Sequence, residues 1–280
     1  MKADCHIHMV LDGVDWKQAI ARHSVIPDDN FIKKTLQLYR QQGYTYLRDG
    51  GDRWGAGLRA RQLAPQYGIT YRTPGAPLCQ KGHYGSFIGT TYESIKEYAG
   101  LVVQAREAGA DFIKIMISGL VDFNRYGVLT EEGLPAQTIK ELIYIAHQEG
   151  MAVMAHANGT ETVLPAALAG VDSVEHGTYL REDALCAMNE AKTVWVPTLS
   201  TVGNLRRQGR FDENAVQQIL ESQLQAVSCF AAMGGLVAAG TDAGAWRVPH
   251  GSETEDALLA KAGIGEERLA EGFAVIQRKF

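Results

Sequence analysis

Short apolar runs alternate with longer amphipathic stretches along most of the chain. The short runs predict buried strands, and the longer stretches predict helices. The predicted strands are Ala3–His8, Tyr44–Asp49, Thr70–Pro74, Phe112–Ser118, Ala152–His156, Ser173–His176, Val194–Thr198 and Leu236–Thr241. The predicted helices are Asn30–Gln42, Trp54–Gln66, Tyr92–Ala108, Pro135–Glu149, Gly159–Ala169, Arg181–Asn189 and Asp212–Met233. A glycine follows several of these helices, as expected just after a helix C-terminus.

The order of these elements predicts a fold class. Eight predicted strands, separated from one another by helical or loop segments, fall within about 240 residues, which is typical of an α/β fold of the (β/α)8 TIM-barrel type. A doubly wound open sheet is the alternative. The stretch Ser252–Phe280 predicts one or two further helices. Because no linker, repeat or low-complexity segment interrupts the pattern, we expect residues 1–280 to form a single domain.

Composition and charge narrow the classes of partner. The chain has 280 residues, of which 46% are hydrophobic and 21% charged, as in soluble globular proteins. A net charge of -5 argues against nucleic acid as a partner. No apolar run approaches the length of about 20 residues that spans a membrane. The four cysteines form no CxxC pair and no signal-peptide pattern is visible, so we expect a cytoplasmic protein.

The first predicted strand carries His6 and His8, separated by one apolar residue. Alternate side chains of a strand point to the same face, so the two imidazoles can reach one point. Neutral imidazole is the commonest protein ligand of zinc and similar ions. This strand therefore predicts part of a metal site.

Lys114 lies inside an apolar strand, on the same face as Phe112 and Met116. A buried, unpaired ammonium is costly, so burial favours the neutral amine. A neutral amine can react with carbon dioxide to form an anionic carbamate, which can bridge two metal ions. The alternative is a buried ion pair between Lys114 and a carboxylate.

Three further ionisable residues stand at the carboxyl ends of predicted strands: His156, His176 and Asp242. Functional side chains of barrel enzymes occupy this end. Taken singly, each histidine could be a hydrogen-bonded core residue, and Asp242 could cap a following helix. Their combination with His6, His8 and Lys114 predicts a metal centre. Glu175, next to His176, is expected to face away and pair with a neighbouring group, and Arg48 and Asp49 are expected to support the ligands.

Five segments, DCHIH, FIKIMISG, MAHANG, SVEHGTYL and AAGTDAG, resemble the successive metal-ligand motifs of the amidohydrolase superfamily. More narrowly, they resemble its branch of imidazolonepropionase-like enzymes and Xaa-Pro or Xaa-Arg dipeptidases. The resemblance implies two divalent metal ions, with zinc favoured and manganese, iron or cobalt as alternatives. It implies that His6, His8 and Asp242 bind one ion. It also implies that His156 and His176 bind the other, and that N-carboxylated Lys114 bridges the two ions together with a hydroxide.

The resemblance also implies a reaction. The expected reaction is hydrolysis of a small amide, of the dipeptide or N-acyl amino acid type, by the metal-bridging hydroxide. Asp242 would accept the proton of the attacking hydroxide. A phosphotriesterase- or lactonase-like hydrolase with the same ligands is an alternative. A non-catalytic barrel that binds a metal or small ligand is another.

Loop residues supply the candidate contacts to a small-molecule substrate. The loop Gly82-His83-Tyr84-Gly85 resembles a GH-containing loop of this branch, in which His83 would hydrogen-bond the scissile carbonyl oxygen and Tyr84 would line the pocket. Arg125 could pair with a substrate carboxylate beside Tyr126. Exposed loop roles are the alternatives for His83 and Arg125. Trp246 and His250 are expected to border the pocket.

The sequence departs from the branch at both ends. Members of the branch carry residues before the HxH strand and after the barrel that together form a small β-sandwich. These segments are not recognisable here. We therefore expect a barrel without the usual accessory β-sandwich, and a homo-oligomer is left open.

Overall fold

The structure is a computed structural model that describes residues 2–280. The strands are β1 (Lys2–Ile7), β2 (Tyr44–Asp49), β3 (Thr70–Arg72), β4 (Leu78–Gln80), β5 (Thr90–Tyr92), β6 (Ile113–Met116), β7 (Val153–Ala157), β8 (Ser173–His176), β9 (Val194–Val196) and β10 (Leu236–Val237). The helices are α1 (Trp16–His23), α2 (Asp29–Gln41), α3 (Ala56–Leu63), α4 (Ile95–Glu107), α5 (Ala136–Gln148), α6 (Thr160–Leu168), α7 (Glu182–Glu190), α8 (Ser200–Gly203), α9 (Glu213–Ala232), α10 (Thr254–Lys261) and α11 (Glu266–Lys279). A 3₁₀ turn, Ala64–Tyr67, follows α3.

Every pairing between these strands is parallel, and the strands form two sheets. The order is β1-β2-β3 in one sheet and β10-β9-β8-β7-β6-β4-β5 in the other. Backbone hydrogen bonds join the sheets at both ends: Cys5 N donates to Ala239 O at 2.9 Å, and Asp111 N donates to Thr73 O at 3.0 Å. A doubly wound sheet reverses its strand order at a switch point. Here neighbouring strands follow chain order apart from the β4–β5 insertion, so the predicted (β/α)8 class is confirmed.

The insertion of strands β4 and β5 between β3 and β6 was not predicted from the sequence. β4 and β5 have three residues each, too few for a recognisable hydrophobic period, and β4 pairs with β6. The helix predicted from Tyr92 begins at Ile95 instead, because Tyr92 belongs to β5 and the hydroxyl of Ser94 caps the helix by accepting from Glu97 N. The predicted C-terminal helices are confirmed as α10 and α11.

The interior is apolar toward one end of the strands. One buried cluster joins side chains of β1, β2, β7 and β9 with Phe112 and Ala238, which adjoin β6 and β10, and Ile276 and Phe280 at the end of the chain pack into it. Side chains of strands from both sheets meet inside the barrel, and Phe112 and Phe280 contact each other edge to face at 5.1 Å. The polar residues therefore gather at the opposite end. Within residues 2–280, no helix is both long and apolar enough to cross a membrane.

Candidate metal centre and its cavity

Three ligand atoms converge at the carboxyl end of the barrel. His6 Nε2 lies 3.3 Å from His8 Nε2 and 3.4 Å from Asp242 Oδ1, and His8 Nε2 lies 3.2 Å from Asp242 Oδ1. Ligands of a tetrahedral zinc ion stand about 3.4 Å apart, given metal–ligand bonds of about 2.1 Å. All three side chains are buried. The spacing and the donor types fit one divalent cation.

Backbone geometry brings these residues together. β1 leads into His8, and the segment after β10 runs beside it, with Asp242 N donating to His6 O at 2.7 Å. Gly240 allows this approach, because a Cβ there would lie 2.4 Å from Val196 Cγ1 and 2.9 Å from His6 N. Asp242 has a φ of 58°. It does not cap a helix, since α10 begins only at Thr254.

Glu175 fixes the orientation of His6. Its Oε2 accepts from His6 Nδ1 at 2.7 Å, while Oε1 accepts from Arg48 Nη2 at 2.9 Å and from the hydroxyl of Ser173 at 2.6 Å. With the proton on Nδ1, the lone pair of His6 lies on Nε2 and faces His8 and Asp242. Glu175 was expected to pair with a neighbouring group while facing away. It does pair, but one of its partners is the candidate ligand His6.

Arg48 and Asp49 are the last two residues of β2, and they support the candidate ligands through intermediate groups. Arg48 is fully buried and donates to Cys5 O at 2.7 Å as well as to Glu175. Asp49 accepts from Met9 N at 3.1 Å and from the hydroxyl of Thr73 at 3.0 Å, which holds the backbone just after His8. These contacts agree with the supporting role predicted for both residues.

A second histidine pair lies beside the first group. The ring centroids of His156 and His176 are 4.5 Å apart, and those of His6 and His176 are 5.2 Å apart. His156 Nε2 lies 3.2 Å from Gly119 O, so this nitrogen carries the proton and Nδ1 carries the lone pair. His176 Nδ1 is hydrogen-bonded to Thr198 Oγ1 at 2.7 Å, which leaves Nε2 for a ligand.

Burial sets the charge state of these imidazoles. It lowers the pKa of His6 and His176 well below their usual range and lowers the pKa of His156 to about 3. All three are therefore neutral near pH 7, which is the form that binds a metal.

Lys114 is 1% exposed in the interior of β6, and its Nζ has no hydrogen-bond partner among residues 2–280. No carboxylate of this described part of the chain forms an ion pair with it. Burial lowers the pKa of Lys114 to about 8, against the opposing attraction of Glu175 and Asp242. The predicted alternative of a buried ion pair is therefore not found, and a neutral amine is accessible near neutral pH.

A cavity of about 640 Å³ opens above these residues and is lined by all six candidate ligands. Tyr84 also lines it, with its ring centroid 4.8 Å from that of His156. Most of the remaining lining is apolar. Its aromatic members besides Tyr84 are Trp16, Phe87, Phe123, Phe211 and Trp246.

The other predicted substrate contacts lie outside this lining. His83 is one-third exposed, with Nδ1 3.5 Å from Glu131 Oε1. Arg125 is 70% exposed and forms an ion pair of 2.7 Å with Asp122. The Tyr126 ring packs against Tyr179 at 5.4 Å. Their roles toward a substrate stay predictions.

Of the two residues expected to border the pocket, Trp246 lines it. His250 is not part of the lining, and it hydrogen-bonds Tyr39 and the carbonyl of Leu11, a residue that does line the cavity. Sequence reasoning missed Arg210 and Phe211, which also line the cavity. They follow the polar stretch Arg206-Arg207-Gln208-Gly209, which carries no signal beyond that of a solvated loop.

The sequence profile of the amidohydrolase family matches residues 56–268, more than two thirds of the chain. The chain belongs to the amidohydrolase family. The matched range contains Lys114, His156, His176 and Asp242. The amidohydrolase's His6 and His8 precede that range, and the fold brings them to Asp242. Family membership supports a hydrolase.

Curated relatives match part of this amidohydrolase. An uncharacterized protein of Mycobacterium tuberculosis is 34% identical over 134 residues, which is 45% of this chain and 36% of that protein. The ochratoxinase of Aspergillus niger is 26% identical over 200 residues, which is 66% of this chain and 38% of that protein. The chain thus spans somewhat over a third of the length of these relatives.

Solved structures share the fold of the amidohydrolase. A Xaa-Pro dipeptidase with bound methionine in its active site superposes with a TM-score of 0.77 at 21% identity, covering 96% of this chain and 72% of that one. The A. niger ochratoxinase superposes with a TM-score of 0.75 at 21% identity, covering 98% and 70%. At this identity the likeness shows a common fold.

Proposed function

We propose that this amidohydrolase is a metal-dependent hydrolase of small amides of the dipeptide or N-acyl amino acid type. The observation that carries the proposal is the convergence of His6 Nε2, His8 Nε2 and Asp242 Oδ1 within 4.8 Å at the base of the cavity. His6 Nε2 carries a lone pair, and a carboxylate oxygen only accepts. Electron-rich atoms at this distance repel one another unless a cation lies between them.

The residues fit a divalent cation by donor chemistry. His6, His8 and Asp242 would hold one ion, since two imidazoles and a carboxylate are a common donor set for zinc. His156 and His176 would hold a second, and Lys114 as a carbamate would join the two. Bound ions of this kind supply Lewis acidity toward a carbonyl and lower the pKa of water.

The protein's own groups carry out the remaining work. Asp242 would take the proton released by the attacking water and deliver it to the departing amine. Tyr84 and the aromatic rings of the cavity would hold the amide and exclude bulk water, which strengthens electrostatic interactions inside. A Xaa-Pro dipeptidase, which cleaves a peptide bond, is among the proteins that share the fold, and this supports amide hydrolysis.

The test is a panel of dipeptides, N-acyl amino acids, lactones and phosphotriesters, assayed with zinc or manganese and bicarbonate present. We expect amide hydrolysis and close to two metal ions per chain by elemental analysis. Asp242→Asn should retain metal but not turnover, whereas the exposed control variant Asp256→Asn should keep both. A metal content near zero would contradict the proposal, and cleavage of lactones or phosphotriesters without amides would replace it.

A further inference from the structure

One side of the cavity is an aromatic wall, formed by Phe123, Phe211 and Trp246. The three residues come from the loops after β6, before α9 and after β10. The ring centroids of Phe123 and Phe211 are 5.3 Å apart, and those of Phe211 and Trp246 are 5.9 Å apart. The tilted contact of the first pair and the edge contact of the second stabilise a continuous apolar surface.

Arg210 lies on this wall. Its guanidinium carbon is 4.2 Å from the ring centroid of Trp246 and 5.3 Å from that of Phe211. No carboxylate in residues 2–280 lies within ion-pair distance of Arg210. A guanidinium that stacks on a ring keeps its N–H edge available for a bidentate contact with a carboxylate.

The other charges of the cavity lining are already engaged. Lys114 and Asp242 belong to the candidate metal centre. Asp15 caps α1, where it accepts from the backbone N–H groups of Lys17 and Gln18. Outside the candidate metal centre, Arg210 is therefore the one charged group of the lining for which residues 2–280 supply no partner.

Hydrogen bonds hold the wall in place relative to the metal centre. Ala245 N donates to Asp242 O at 3.0 Å, which ties Trp246 to the candidate ligand four residues earlier. Asn204 Nδ2 donates to Arg247 O at 2.9 Å and joins the loop that carries Arg210 to the Trp246 turn. A ligand held at Arg210 would thus sit at a defined place over the site.

We propose that Arg210 and the aromatic wall form a subsite for the carboxylate and side chain of an N-acylated aromatic amino acid. This inference rests on the proposed amide hydrolysis and names its substrate class. The carboxylate pairs with the Arg210 guanidinium, and the aromatic side chain packs against Phe211 and Trp246. The acyl carbonyl then faces the metal centre.

A matched pair of amides tests the subsite: N-acetyl-L-phenylalanine and its counterpart without the carboxylate, N-(2-phenylethyl)acetamide. In Arg210→Gln we expect KM for N-acetyl-L-phenylalanine to rise about tenfold or more, the value of a charge-assisted hydrogen bond. KM for the neutral amide should stay unchanged. Arg247→Gln is the matched control, because the Arg247 guanidinium also stacks on Trp246, at 5.2 Å, but does not line the cavity.

Calorimetric binding of the same two amides to metal-loaded Asp242→Asn, with Arg210 present or replaced by Gln, gives the comparison without turnover. Failure of the wild type to hydrolyse either amide would count against the proposed function, while a selective loss of N-acetyl-L-phenylalanine affinity on replacing Arg210 would still support the subsite. Equal affinity for N-acetyl-L-phenylalanine with and without Arg210 would overturn it. So would an equal loss for both amides, which would indicate packing alone.

Discussion

Replacing Glu175 by glutamine probes how the second layer of residues supports the candidate metal centre. The carboxylate holds His6 Nδ1 at 2.7 Å and Arg48 at 2.9 Å, and both Glu175 and Arg48 are fully buried. Glutamine keeps the shape but removes the charge. Loss of an outer partner of this kind costs about 10- to 100-fold in metal affinity, so we expect zinc to bind Glu175→Gln at least tenfold more weakly.

The same change leaves Arg48 as a buried charge without its carboxylate. Breaking a buried ion pair lowers the free energy of unfolding by about 3–5 kcal/mol. Arg48 keeps its hydrogen bond to Cys5 O and its stacking on the Phe280 ring at 4.5 Å. We therefore expect a decrease near the lower end of that range, about 3 kcal/mol. Urea unfolding of the metal-free protein measures this loss separately from zinc binding.

Zinc affinity is measured by competition with a chromophoric chelator under conditions where both proteins are folded. Glu255→Gln is the matched control, because Glu255 is equally buried but contacts Ser200 instead of a candidate ligand. Wild-type zinc affinity in Glu175→Gln would refute the role of Glu175 in orienting His6. Because burial raises the pKa of Glu255 to about 8, this variant controls for burial and packing, and a loss of similar size there would show that any buried Glu→Gln change gives the effect.

Three further predictions follow from buried groups. Lys114→Met should bind less metal, yet its metal-free form should unfold at higher urea concentration, because the buried unpaired Nζ is removed; unchanged metal content would contradict this. Burial raises the pKa of Glu255 from 4.5 to about 8, so the folded protein holds an extra proton and the free energy of unfolding should fall as pH rises between these values. Glu255→Gln should flatten that fall in urea titrations at pH 5 and pH 8, and an equal fall in both proteins would disprove the assignment. Gly50→Ala should weaken zinc binding, because a Cβ there would lie 2.3 Å from His8 Cε1, and metal titration would show no change if the ring can shift.

Local patterns predicted most of the longer elements, although α1 was missed. The runs that became β1, β2 and β6–β10 are largely buried, and strands buried on both faces read as near-continuous hydrophobic segments. The three-residue strands β4 and β5 were missed, because pairing with β6 defines them and no periodicity does. The residue types at the strand ends predicted a candidate metal site, and His6, His8 and Asp242 lie close enough together to hold one ion.

Side-chain direction at the strand ends was harder to predict. His176 and Asp242 have φ values of 69° and 58°, so the chain leaves the extended conformation and the period of two no longer holds. For this reason Glu175 contacts His6, although alternation with His176 had suggested that it would face away.

The sequence by itself determined the α/β barrel class and the histidine, lysine and aspartate residues of the candidate centre, because strand periodicity and donor chemistry are local properties. Only the tertiary structure decided which residues support and surround them. Glu175 meets His6 across 169 positions of the chain. The tertiary structure likewise placed Arg210, and not Arg125, in the cavity lining. Contacts of this range depend on how distant loops pack against one another, which no local pattern encodes.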